Sequence, residues 1–172
     1  MSKRCCFAGH SEIYNADSIY ADLEKLVEQL ITKENVKEFW VGNYGGFDKL
    51  SAKVIKALKE KYSDIQLSLV IPYLTVEINE YKEKYYEKYD EILIADISEK
   101  TPKRLKILKC NEFMVKNSDF LVCFVEFEWG GAAKTLEYAK KKKDIMVFNL
   151  AQNKKSKSPT ERFYSILQNL SV

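Results

Sequence analysis

Short apolar runs that end at turn residues, each followed by a longer stretch with apolar positions at helical spacing, limit this fold most. Arg4 to Ala8 closes on Gly9, Glu38 to Gly42 runs into Asn43-Tyr44-Gly45-Gly46, and Ile65 to Ile71 is stopped by Pro72. Glu91 to Ala95, Phe120 to Val125 and Asp144 to Leu150 repeat the pattern. Between the first two runs, Ile19, Leu23, Leu26, Val27, Leu30 and Ile31 recur at three- and four-residue intervals; after the second come Leu50, Val54, Ile55 and Leu58. Strands that alternate with helices pair through right-handed crossovers, which gives a parallel sheet covered on both faces. The expected fold class is α/β: a Rossmann-like three-layer sandwich with a mostly parallel sheet of about six strands.

The spacing predicts the remaining helices as well. Asp17 is available as the N-cap of the first. Ile78, Tyr81, Tyr85 and Tyr89 predict one tyrosine-faced helix within Tyr73 to Tyr89, and Leu105, Leu108, Phe113 and Val115 another. Leu136 and Ala139 mark a helix closed by Lys140 to Lys143, where cations suit the dipole. Ser158-Pro159-Thr160-Glu161 is a capping box that opens a last helix with Phe163, Ile166, Leu167 and Leu170. No linker separates two units, so residues 1–172 are expected to form a single domain.

At 46% hydrophobic and 31% charged residues, the chain has the balance of a folded soluble protein, and no run reaches the ~20 apolar residues of a membrane helix. A cytosolic location is expected. Cys5, Cys6, Cys110 and Cys123 contain no C-x-x-C pair and read as reduced core thiols, and His10 is the only histidine. Nitrogen and sulfur ligands for zinc are therefore scarce, and neither a metal nor a cofactor is expected. Twenty-eight basic against 25 acidic residues leave +3, too small an excess for a duplex-binding field. Charge alone names no partner; nucleic acid is not expected, and binding of a single strand would need a basic groove interleaved with aromatics.

In a parallel sheet the ligand site lies beyond the carboxyl ends of the strands. Gly9-His10, the Gly42 to Gly46 turn, Pro72-Tyr73, Asp96 and Glu126 to Gly131 fall on that rim. Two glycine pairs, Gly45-Gly46 and Gly130-Gly131, stand where helices begin. Backbone without a Cβ lets a phosphate approach the free N–H groups of a helix start, although a tight turn alone also calls for glycine. Neither pair is a P-loop or a G-x-G-x-x-G.

Several of these segments together carry a resemblance. Cys5-Cys6-Phe7-Ala8-Gly9-His10, Gly45-Gly46-Phe47-Asp48, Asn111 through Met114-Val115 to Ser118-Asp119, and Gly130-Gly131-Ala132-Ala133-Lys134-Thr135 with Tyr138-Ala139 are similar to the SLOG superfamily. Its members are Rossmann-like. They include the LOG phosphoribohydrolases, the DprA/Smf proteins and small bacterial proteins with a C-C-F-x-G-H-R start, the group this chain resembles most. The LOG motif P-G-G-x-G-T-x-x-E implies phosphate contact at Gly130 and Gly131 and catalysis at Glu137. Ala133 stands in place of its third glycine, Lys134 in place of its threonine, and Thr135 comes one position late. Ser11 and Cys110 occupy positions where the relatives carry arginine, so two guanidinium contacts to phosphate are missing; Lys109 and Lys134 are the point charges available instead.

The resemblance and the glycine turns together imply a nucleotide or nucleotide-derived small molecule, bound by a sensor or carrier. Gly9, His10, Gly45, Gly46, Asn111, Gly130, Gly131, Lys134 and Thr135 are the ligand-binding candidates. The alternative is an N-glycosidic hydrolase of nucleoside monophosphates, with Glu137 or Glu126 as the working carboxylate. Asp96 and Glu128 are further rim acids, whereas Asp119 starts its strand and belongs to the opposite end of the sheet. Tyr44, Tyr73 and Trp129 could stack on a base. A homodimer is implied by the resemblance alone.

Overall fold

A computed structural model describes residues 2–151. It contains one sheet of six strands, β1 Lys3–Gly9, β2 Val36–Val41, β3 Gln66–Ile71, β4 Glu91–Ile94, β5 Phe120–Phe124 and β6 Met146–Asn149. All pairings are parallel, and the strand order is β4-β3-β2-β1-β5-β6. The chain builds outward from β1 to β4, returns, and continues from β5 on the other side of β1. Order therefore reverses between β1 and β5, where Ala8 pairs with Cys123 and Gly9 with Phe124. The helix expected over residues 158–170 lies outside the described residues.

Successive strand residues alternate between two buried faces, so the strands read as continuous apolar runs. Phe7, Phe39, Leu67, Leu69, Val122 and Phe124 point to one face, beneath α1 (Ala16–Glu34) and α2 (Gly46–Lys59). Cys6, Ala8, Trp40, Val70, Leu121 and Cys123 point to the other, beneath α5 (Lys106–Lys116) and α6 (Gly131–Lys140). The faces differ in bulk. Phe7, Phe39, Phe47 and Phe124 fill the first, whereas on the second Ala132, Ala133 and Ala139 lie in the same cluster as Ala8, Cys6 and Cys123. Small residues on both sides let α6 settle close to the sheet at β1 and β5. All four cysteines are free and buried; burial pushes the Cys6 and Cys110 thiols up to about 12, which leaves them inert packing groups.

Two local expectations need correction. Asn15, not Asp17, is the N-cap of α1: it is left-handed at φ 60, its side chain makes no cap bond, and its carbonyl accepts Ser18 N–H and Ile19 N–H. Asp17 sits in the first turn instead. The single tyrosine-faced helix is two short ones, α3 Val76–Glu80 and α4 Lys82–Tyr86, separated at Tyr81 with φ −110 and ψ 32. Ile78 and Tyr89 are buried and Tyr85 stacks on Tyr89, but Tyr81 is exposed. Ile78, Tyr85 and Tyr89 pack on the core, whereas Tyr81, in solvent, gives the chain no core contact where the two helices meet. Among the described residues no helix is long and apolar enough to cross a membrane.

Candidate functional site

The reversal of strand order leaves a crevice of about 580 Å³ beyond the ends of β1 and β5, the place where open α/β sheets bind ligands. Its walls come from the loop after β1 (Gly9, His10, Ser11, Glu12, Tyr14), the start of α2 (Tyr44, Asp48), α5 (Ile107, Asn111) and the loop from β5 into α6 (Glu126, Phe127, Trp129 to Ala132). Gly9 closes β1 with its Cα against the Phe47 ring. His10 joins the two loops. Its Nε2 accepts Glu126 N–H at 2.8 Å and Phe127 N–H at 3.4 Å, and its own N–H donates to Phe124 O at 3.2 Å. An Nε2 that accepts puts the proton of a neutral imidazole on Nδ1, which is left without a partner among the described residues.

The Gly130-Gly131 turn faces this crevice. Gly130 has φ 92 and ψ 179, a conformation essentially confined to glycine. The first intrahelical bond of α6 is Lys134 N–H to Gly130 O. The N–H groups of Gly131, Ala132 and Ala133 precede it and have no acceptor among the described residues. Nothing lies within 4 Å of where a Cβ of Gly131 would stand. The turn thus presents three donors and the positive end of a helix dipole to open space.

The Gly45-Gly46 turn is closed. Gly46 N–H donates to Ser11 O at 2.7 Å and Phe47 N–H to His10 O at 3.4 Å. A Cβ on Gly45 would come within 2.9 Å of Ser11 Cα, and one on Gly46 within 2.7 Å of Ser11 O. These glycines let the loop after β1 lie against the start of α2, which takes the Gly46 and Phe47 N–H groups away from any ligand. Asp48, in the same turn, takes the Tyr44 N–H on Oδ2 at 3.0 Å and lines the crevice. Burial pushes its carboxyl up to about 6 and pushes the Tyr44 hydroxyl up to about 12.

The other expected residues divide. Asn111 lines the crevice, and its amide donates to Thr135 Oγ1 at 3.4 Å. Thr135 itself is fully buried and donates to Gly131 O at 2.9 Å, so it supports the turn from within and does not reach the rim. The stripe Ala132, Thr135, Leu136 and Ala139 already marks it as inward-facing. Lys134 is exposed and outside the crevice. Lys109 pairs with Glu112 at 2.6 Å in a separate groove that also holds Asp96. Glu126 lines this crevice and also a neighbouring one between α6 and β6, where it stands with Glu137, Glu128, Lys140 and Asn149; Glu137 lines only the second. Asp119 sits at the opposite end as expected, with Oδ2 accepting Arg4 N–H at 2.8 Å.

Two contributors escaped the sequence. Asn149 places its amide against Val125, with Oδ1 accepting Val125 N–H and Nδ2 donating to Val125 O, both at 3.0 Å, which fixes the loop where it leaves β5. Phe127 stacks on Trp129 at 5.2 Å between ring centroids and lies 5.2 Å from His10. Phe127 is 48% and Trp129 71% exposed, an aromatic surface at the mouth of the crevice.

UPF0398 protein BH1768 of Halalkalibacterium halodurans is 32% identical over 130 residues, which make up 70% of this chain and 68% of that protein. The SPbeta prophage-derived protein YoqJ of Bacillus subtilis is 26% identical over 131 residues, 67% of this chain and 77% of that one. Among solved structures, DNA processing protein A (DprA) from Streptococcus pneumoniae superposes with a TM-score of 0.63 at 14% identity, covering 98% of this chain and 56% of its own. This chain thus spans little more than half of that protein. DprA from Helicobacter pylori gives 0.60 at 14% identity over 98% of this chain and 80% of its own; that structure concerns its single-stranded DNA binding mode. Such likeness establishes the fold. It also corrects the expectation that nucleic acid is not a partner, because a protein of this fold binds single-stranded DNA and a small net charge does not exclude it. Residues 10–154 match the YspA SLOG family, and the chain belongs to it.

Proposed function

We propose that the crevice between β1 and β5 binds a nucleotide or nucleotide-derived small molecule, with its phosphate at the Gly130-Gly131 turn. The observation that carries this reading is the open start of α6, whose Gly131 and Ala132 line the crevice where strand order reverses and keep unpartnered N–H groups there. Two further features support it. Phe127 and Trp129 offer flat faces to a base, and His10 keeps Nδ1–H as a donor beside them. No lysine or arginine lines the crevice among the described residues, so backbone donors carry the anion. Calorimetric titration with nucleoside mono-, di- and triphosphates tests the reading. Saturable binding of at least one, weakened by Gly131→Val in a folded variant, is expected; no binding of any would sink it.

The stacked and exposed pair Phe127-Trp129 also favours a second reading, in which the bases of a single strand stack at the mouth of the same crevice. Salt-sensitive binding of an oligothymidylate, lost in Trp129→Ala, is the result expected of that reading and not of the first.

A further inference from the structure

We propose that Asp48 receives a ribose hydroxyl of the bound ligand, so that the crevice takes ribonucleotides in preference to their 2′-deoxy counterparts; this rests on the nucleotide reading above. Asp48 stands in the first turn of α2 and shares the crevice with Gly9, Tyr44 and Gly131. Its Oδ2 is committed, for it accepts Tyr44 N–H at 3.0 Å and packs so near Gly42 that a Cβ there would approach it to 2.8 Å. Its Oδ1 has no donor among the described residues.

The groups that face this carboxyl offer no cation. Tyr44 approaches from its own turn and Cys110 from α5. Tyr89, beyond α4, contributes a further hydroxyl. Tyr73 and Tyr85 stand beside Tyr44, and Glu12, Glu126 and His10 lie on the facing crevice walls. A carboxylate drawn from water without a counter-charge or a full set of donors is costly, and it persists where something outside the chain completes it. Burial raises the Asp48 carboxyl to about 6, so it is mostly ionised, and an acceptor, at pH 7.5. One free oxygen suits one hydroxyl. The two-pronged N–H edge of a guanidinium or guanine needs both oxygens side by side, and Tyr44 holds one of them.

Calorimetry on the full chain with the ribonucleoside 5′-monophosphates and their 2′-deoxy forms decides the matter. At pH 7.5 the ribo form is expected to bind about tenfold more tightly, the size of a charge-assisted hydrogen bond. Asp48→Asn keeps an acceptor for Tyr44 N–H and is expected to bring the ratio to within about twofold, a neutral hydrogen bond being weaker. Equal binding of both forms by the wild type, or an undiminished ratio in Asp48→Asn, overturns the assignment. Should the variant not fold, the wild-type ratio at pH 5 replaces it: protonation of the carboxyl is expected to shrink the ratio, and an unchanged ratio overturns the proposal. Other groups that titrate in this range, the ligand phosphate included, affect both forms alike and cancel. If no mononucleotide binds, the mononucleotide function itself fails; binding without a ribo preference fails Asp48 alone.

Discussion

The two glycine pairs look alike in sequence and occupy the same place in their helices, yet one is sealed and the other open. Gly45 and Gly130 are N-caps, and Gly46 and Gly131 are the first residues of α2 and α6. In α2 the carbonyls of Ser11 and His10 take the Gly46 and Phe47 N–H groups, and Gly45 is ordinary extended backbone at φ −176. In α6 no carbonyl arrives and Gly130 takes φ 92. Glycine serves close backbone packing in the first turn and conformation in the second. A glycine-rich helix start becomes a candidate anion site only when nothing in the chain has claimed its N–H groups.

Stability measurements distinguish the two turns. The largest effect is expected for Gly46→Val, whose Cβ would stand 2.7 Å from Ser11 O and 3.1 Å from Ile13 Cγ1. Backbone must move, so urea denaturation should show a loss of about 3 kcal/mol or more. A cost under about 1 kcal/mol, within the range of ordinary substitutions, would mean that the loop after β1 does not seal this turn. Gly130→Ala comes next. It meets no atom within 4 Å, but it holds an L-residue at φ 92, which should cost about 1–3 kcal/mol. Equal stability to wild type would show the turn relaxing to another conformation.

Asp48→Asn is expected to act in the opposite direction and to depend on pH. The folded carboxyl is raised to about 6 from 3.8, so the native state binds the proton more tightly than the unfolded chain does. Its contribution is complete below the unfolded value and is lost as pH rises through the folded one. The variant should therefore gain about 1 kcal/mol over wild type at pH 7.5, after discounting for water in the crevice, and nothing near pH 4. A gain that is independent of pH would locate the effect elsewhere than in the carboxyl charge.

These residues also mark how far the sequence could be read. The strands were legible because buried parallel strands are uniformly apolar and stop at Gly9, Gly42 or Pro72, and the rim followed from where they stop. The open and the sealed glycine turn could not be told apart, since the atoms that seal Gly46 belong to Ser11, distant in the chain. Asp48 has no role legible in the sequence, because its isolation from cations depends on side chains from three other segments. Thr135 is a different case: the spacing that buries it was present, and the phosphate motif of LOG enzymes outweighed it.

The smallest expected effect on stability belongs to Gly131→Val. This is the same substitution at the same helix position as Gly46→Val, which isolates the surroundings as the variable. No atom lies within 4 Å of the added Cβ, and Gly131 is not in the left-handed region. Valine also has a better helix propensity than glycine, so the change in unfolding free energy should stay within about 0.5 kcal/mol. The isopropyl group would nonetheless project where the N–H groups of Gly131 and Ala132 meet the crevice. Nucleotide affinity should fall while the melt stays cooperative and unshifted. If Gly131→Val and Gly46→Val destabilise alike, the two turns are equally packed and the open start of α6 is lost as an argument; if Gly131→Val is stable and still binds, the anion sits elsewhere on the rim.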